Sequence, residues 1–202
     1  MTEVVLYHHV QGLTNGVRSF ADELRQAGHT VHTPDLFEGR AFATIEEGMA
    51  FAREAGFEEL LERGIAAAEE IAPEVVYAGF SFGVMPAQKL AQTRAGARGA
   101  LLMSGCLPVS EFGEAWPAGV PVQVHGKGED PFFDEDLEAA RALVDSTDQA
   151  ELFLYPGEEH LFADSSLAAY DAPAAALLTE RVLAFLDRVE TEERITPQTL
   201  RQ

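Results

Sequence analysis

Short apolar runs alternate along this chain with longer stretches in which apolar residues return every three or four positions, the pattern of strands exchanged with helices. Six runs read as strands: Glu3–His8, Thr30–Thr33, Val75–Gly79, Gly99–Ser104, Val120–His125 and Glu151–Tyr155. Most are continuously apolar instead of alternating, as strands become when helices cover both faces of a parallel sheet. The fold class predicted is α/β, with a mostly parallel sheet of about six strands between two helical layers.

The intervening segments carry helix start and stop signals. Asn15 reads as an N-cap, Val17, Phe20, Ala21 and Leu24 share one face, and Gly28 closes the helix. Thr44 and Glu47 form a capping box ahead of a segment in which Phe57, Leu60, Leu61, Ile65 and Ala68 recur until Pro73, with Gly56 placed to divide it. Residues Glu135–Val144 are expected to form a helix after Asp134, and Pro173 stands near the start of a last helix with Leu178, Val182, Phe185 and Val189 on one side. The polar stretch from Glu190 onward, with Pro197, is read as a tail, giving one domain over residues 1–190 and a tail over 191–202. Ser104 and Val120 lie too close in sequence for an inserted cap domain, so any pocket should be shallow and built from loops.

Composition narrows the function classes. The 202 residues are 47% hydrophobic and 24% charged, the balance of a chain that packs a core. With 34 acidic against 14 basic residues the formal charge is −20, which repels phosphate backbones and anionic bilayers, so neither nucleic acid nor membrane is expected as a partner. No apolar run reaches the roughly 18–20 residues of a membrane span, and Met1 leads straight into the strand-like Val4-Val5-Leu6-Tyr7, so a cytoplasmic location is expected. Cys106 has no second cysteine to pair with. His8 and His9 are adjacent on a strand end and so point to opposite faces, and no further ligand spacing accompanies them; no metal is expected.

The sharpest motif is Gly79-Phe80-Ser81-Phe82-Gly83, a G-x-S-x-G between an apolar strand and a helical stretch. A nucleophile elbow needs small neighbours because the serine sits on a tight strand-to-helix turn, and the Phe82 amide at the helix start then faces a developing oxyanion. A serine hydroxyl needs a base, and the base needs a carboxylate to orient it. Asp130, in the loop after Val120–Val124, and His160, after Leu152–Tyr155, follow in the serine, acid, histidine order of this fold; Glu129, Asp134 and Asp136 compete for the acid role. The second oxyanion amide is assigned to Val10, with Gln11 as the alternative, and His9, Phe37, Cys106, Phe132 and Leu161 are candidate walls of the substrate pocket.

Four segments and one loop resemble the dienelactone hydrolase family: His9–Leu13, Thr33-Pro34-Asp35-Leu36-Phe37, Gly79–Gly83, Tyr155-Pro156-Gly157 through His160 and Phe162, and the acid loop Gly128–Pro131. The resemblance implies a minimal α/β-hydrolase fold without a lid, hydrolysing lactones or simple carboxylic esters without metal or organic cofactor. The namesake enzymes carry a cysteine where this chain has Ser81 and a glutamate where it has His9. A thiolate and a hydroxyl have different acidity, so the two changes go together. The function expected is a serine hydrolase working through an acyl-enzyme on a small ester or lactone, as a monomer or homodimer. The alternative is a non-catalytic protein that holds a small ligand on the same scaffold. An intact acid and base speak against it.

Overall fold

The computed structural model of the chain describes residues 1–195. Strands β1 (Glu3–Tyr7), β2 (Thr30–His32), β3 (Val76–Phe80), β4 (Gly99–Met103), β5 (Val122–Lys127) and β6 (Ala150–Tyr155) form one sheet in the order β2-β1-β3-β4-β5-β6, every pairing parallel. The helices are α1 (Asn15–Gln26), α2 (Ile45–Ala55), α3 (Phe57–Glu69), α4 (Val84–Thr93), α5 (Pro131–Asp134), α6 (Leu137–Ser146) and α7 (Ala172–Ile195). This is the architecture of an α/β hydrolase, and no cap domain interrupts it among the described residues.

Alternate strand residues feed two cores. Val5, Tyr7, Tyr77, Leu102 and Val124 pack under α3, α4 and α6, and Val4, Leu6, Val76, Leu101 and Met103 pack under α1 and α7. Period-two alternation in strands that are apolar on both faces produces this division. The α7 contribution is the expected stripe of Leu178, Val182, Phe185 and Val189.

Several boundaries depart from the sequence expectation. Thr14, not Asn15, caps α1: its hydroxyl accepts the Val17 amide at 3.2 Å, and Asn15 is the first helical residue. β5 starts at Val122, because the Val120 amide is used in a turn to Pro117 and Pro121 has no N–H to give. It also runs past His125 through Gly126 and Lys127, which pair with Leu154 and Tyr155. The helix expected over Glu135–Val144 forms as α6, two residues later at each end, and the short α5 precedes it as a separate turn. Gly56, at φ 92°, does separate α2 from α3. α7 continues helically to Ile195, and residues 196–202, with Pro197, lie outside the described residues.

Two imidazoles are sealed into the sheet and its upper edge in neutral form. His125 is fully buried beside Phe153, with Nε2 at 3.2 Å from Gln123 Oε1 and Nδ1 at 2.9 Å from the Tyr155 hydroxyl. Burial, aided by the Arg181 charge, pushes it down to about 3. His8 accepts the Leu36 amide on Nε2 at 3.0 Å, with Nδ1 at 2.8 Å from the His9 carbonyl. A proton added at Nε2 would face a donor, and burial lowers this group to about 4.

Because both folded-state values lie below the ordinary 6.5, the unfolded chain binds more protons in the interval between them. The stability these rings allow is complete above that ordinary value and is lost as pH falls toward the folded values. The unfolding free energy should drop in that window by up to roughly 1.4 kcal/mol per pH unit for each ring. Urea denaturation at about pH 7 and about pH 4.5 measures the loss, and His125→Gln should make it smaller; an unchanged slope would remove His125 from the account.

Candidate active site

Order reverses in the sheet between β1 and β3, and the carboxyl ends of the strands around that point carry the loops where parallel α/β sheets form their clefts. Ser81 follows β3 directly. Its φ is 48°, the left-handed region that non-glycine residues enter at a cost, and a single 3-10 turn over Ser81–Gly83 leads into α4.

The flanking glycines are explained by what surrounds them. A Cβ on Gly79 would collide with the Gly83 carbonyl, and one on Gly83 would stand 2.5 Å from the Tyr7 carbonyl oxygen and 2.6 Å from that of His8. The turn is thus pressed against the end of β1, where any side chain at position 83 would lift it off.

Ser81 Oγ lies 2.7 Å from His160 Nε2, and His160 Nδ1 lies 2.6 Å from Asp130 Oδ2. The carboxylate enforces the tautomer: Nδ1–H donates to it, leaving Nε2 to accept from the serine hydroxyl. Asp130 is itself fixed, being 1% exposed, with Oδ1 accepting the Phe132 amide at 2.9 Å as N-cap of α5. Of its rivals, Glu129 and Asp134 are exposed. Asp136 accepts the Cys106 amide at 3.0 Å, and burial raises its carboxyl above the ordinary value. His160 is further held through its carbonyl, which accepts the Ser104 hydroxyl at 2.7 Å.

The Phe82 amide belongs to the first turn after β3, where amides lack partners within the helix. Across from it, the loop after β1 is heavily constrained. Gly12 N–H donates to the His9 carbonyl, Gln11 Nε2 donates to the carbonyls of Phe42 and Ala43, and Gly48 of α2 packs against the Val10 carbonyl without room for a Cβ. The Gln11 amide is spent on His9 Nδ1 at 3.2 Å, which favours Val10 over Gln11 as the second donor.

Val10, Ser81, Phe82, Cys106, Phe132 and His160 line one cleft of about 490 Å³. Sequence alone did not place Ile45, Met49 and Phe57, from α2 and α3, on its wall. Phe37 is not a wall residue: it is fully buried, edge-on to His8 at 4.8 Å and to Phe51 at 4.9 Å. Leu161 is 4% exposed and borders a neighbouring recess. Cys106 does line the cleft, but burial, with the Asp136 carboxylate nearby, pushes its thiol up to about 12, so it is inert at neutral pH.

His9 also faces away from the cleft. Its Nε2 lies 2.7 Å from Asp164 Oδ2, which takes the Thr14 hydroxyl at 2.5 Å as well, and Asp164 Oδ1 accepts from the Ser166 amide and hydroxyl. Since Nδ1 accepts from Gln11, Nε2 carries the proton and donates to the carboxylate. The pair joins the loop after β1 to the loop that carries His160. A second tie is Lys127 at the end of β5, which donates to Glu159 at 2.5 Å and Asp171 at 2.7 Å. No local pattern in the sequence pointed to the first tie, whose partners are 155 residues apart.

Burial alone would raise the Asp164 carboxyl, but the hydrogen bonds from His9, Ser166 and Thr14 outweigh it and bring the group down to about 2 from 3.8. A depressed carboxyl contributes stability that is present above its unfolded value and lost as pH falls through the folded one, here on the order of 2 kcal/mol at neutral pH. Asp164→Asn should therefore be less stable than the parent by about that amount near pH 6, and denaturation curves should converge as pH falls below about 4. Equal stability at both pH values would show that the charge contributes nothing.

The profile of the dienelactone hydrolase family matches residues 1–190. The chain matches no curated protein sequence. Among solved structures it is similar to the dienelactone hydrolase-like promiscuous phosphotriesterase P91 from metagenomic libraries, at TM-score 0.71 and 19% identity over 94% of this chain and 87% of that one. It is also similar to the dienelactone hydrolase of Anabaena variabilis, at TM-score 0.65 and 18% identity over 93% and 86%. A third is Thermogutta terrifontis esterase 2, solved phosphonylated by cyclosarin, at TM-score 0.64 and 14% identity over 93% and 83%. At these identities the structural likeness speaks for the fold, and the match over residues 1–190 speaks for the lineage: this chain belongs to the dienelactone hydrolase family.

Proposed function

We propose that this hydrolase cleaves carboxylic esters or lactones by acyl transfer through Ser81, with His160 as general base and acid and Asp130 as the group that orients it. The observation that carries the reading is the unbroken hydrogen-bonded path from Asp130 through His160 to the Ser81 hydroxyl. His160 Nε2 takes the hydroxyl proton as Ser81 Oγ attacks the carbonyl, and the tetrahedral oxyanion rests on the amides of Phe82 and Val10. His160 then returns the proton to the leaving oxygen, the C–O bond breaks, and an acyl-serine remains. Water, deprotonated by the same imidazole, releases the acid and restores Ser81.

The left-handed backbone at Ser81 supports the same reading, since a strained residue persists only where its surroundings hold it. A cleft that only held a ligand would have no use for a buried carboxylate aligned on an imidazole. The relatives support it too, as a dienelactone hydrolase and an esterase in name.

In the purified protein Ser81→Ala should lower kcat/KM for p-nitrophenyl acetate by on the order of 10⁴-fold or more while the thermal transition is retained. Turnover equal to that of the parent would refute the role of Ser81. Asp130→Asn should also be severely impaired, by about 10⁴-fold, because the amide supports the wrong imidazole tautomer.

A further inference from the structure

Beside the cleft lies a second recess of about 260 Å³, walled by Pro131, Leu161, Leu167, Ala168 and Ala169. The two share Ile45, Phe132 and His160, but Ser81 borders only the first. The Phe132 ring, 51% exposed, stands over the His160 ring with centroids 5.0 Å apart, so it acts as the partition between them.

Acyl transfer gives the two spaces different occupants. The carbonyl carbon bonds to Ser81 Oγ, so the acyl group must lie in the space that Ser81 borders. The leaving oxygen must take its proton from His160 Nε2, so the alcohol departs on the histidine side. We propose, as a consequence that rests on the hydrolase reading, that the second recess is the alcohol subsite, and that it selects esters of uncharged apolar alcohols. Its walls are aliphatic except for His160, Phe132, Gln11 and Glu158. The Gln11 side-chain Nε2 already donates to the carbonyls of Phe42 and Ala43, and Glu158 is an exposed carboxylate. Nothing among the described residues lining this recess offers a cation to an anionic alcohol, and the chain carries −20 overall. A lactone fits the same scheme when its ring opens with the acyl end on Ser81 and the freed hydroxyl arm passing beneath Phe132.

The test separates the two halves of the substrate. Methyl, butyl and benzyl acetates have leaving alcohols of similar acidity, so a change in kcat/KM reports binding rather than intrinsic reactivity. For the parent protein kcat/KM should rise by about tenfold or more from methyl to benzyl acetate, the scale set by a few apolar groups in a fitted pocket, and acetoxyacetate should be hydrolysed more slowly than the neutral butyl ester. Ala168→Phe should cut the benzyl-to-methyl ratio by about fivefold or more, without moving the ratio of methyl butyrate to methyl acetate. Ala43→Phe, on another exposed wall of the recess, is expected to act in the same direction and guards against a variant that fails to fold. A flat alcohol series, or a variant that shifts the acyl ratio instead, overturns the assignment. Labelling of Ser81 by a fluorophosphonate, read by mass spectrometry, tests the hydrolase reading separately. A labelled protein with a flat series loses only the subsite, whereas an unlabelled and inactive one loses both.

Discussion

The contact between Gly83 and the end of β1 governs the geometry of everything above the sheet. With no Cβ at position 83, the first turn after β3 closes on the carbonyls of Tyr7 and His8. That closeness sets the Phe82 amide opposite the loop that starts at His8, and it holds Ser81 in a backbone conformation that it would not choose alone. The oxyanion donors proposed here come from two different strands. Their separation is fixed by how near β1 and the elbow can come, so a single methyl group at Gly83 would act on all of them at once. Parallel pairing of β1 with β3, from Val4 with Val76 to Tyr7 with Gly79, supplies the rigid base for that approach.

Loops alone would not hold three side chains to hydrogen-bonding distance, and here buried charge does much of the holding. Lys127 is 2% exposed and takes two carboxylates, Glu159 next to His160 and Asp171 just before α7. Asp164 collects donors from His9, Thr14 and Ser166. Breaking a buried, fully hydrogen-bonded ion pair is costly because one charge is then stranded. Such ties favour one arrangement over its neighbours. Both converge on residues 159–171, the segment that presents His160, and none of them touches the cleft itself.

What could be read from the sequence follows the range of the interactions concerned. Strand centres were legible because burial on both faces writes itself as continuous apolar runs, and the elbow was legible because its motif stands between such a run and a helical stretch. Ser81 could be named from the elbow motif, and Asp130 and His160 from their loops and order after it; the three side chains meet. Long-range packing was not legible. Phe37 looked like a wall residue from its loop, but its ring fills space beneath His8, a relation between residues 29 positions apart that no local pattern records. His9 seemed to face the cleft because its neighbour Val10 does; its partner Asp164 lies 155 residues away. Thr14 and Asn15 are both good caps, and only the fold decided between them, by giving the Thr14 hydroxyl a second task at Asp164.

The acidity of the chain bears on the same site. A tetrahedral oxyanion would form within a cleft lined by Glu46, Glu135 and Asp136 against one guanidinium, Arg53, so acidic groups outnumber basic ones around the charge that develops. Two features counter that excess at short range. Asp136 accepts the Cys106 amide at 3.0 Å, which ties its carboxyl to the cleft wall, while burial raises it above the ordinary value. Amide dipoles aimed at one point from a few ångströms act far more strongly than exposed carboxylates screened by water and salt over longer distances. The same carboxylates that are tolerable to a short-lived oxyanion would be a lasting penalty to an anionic substrate, which must sit among them throughout binding. On the proposed reading, charge that catalysis can overcome locally is left to act on substrate choice, where it would favour neutral esters.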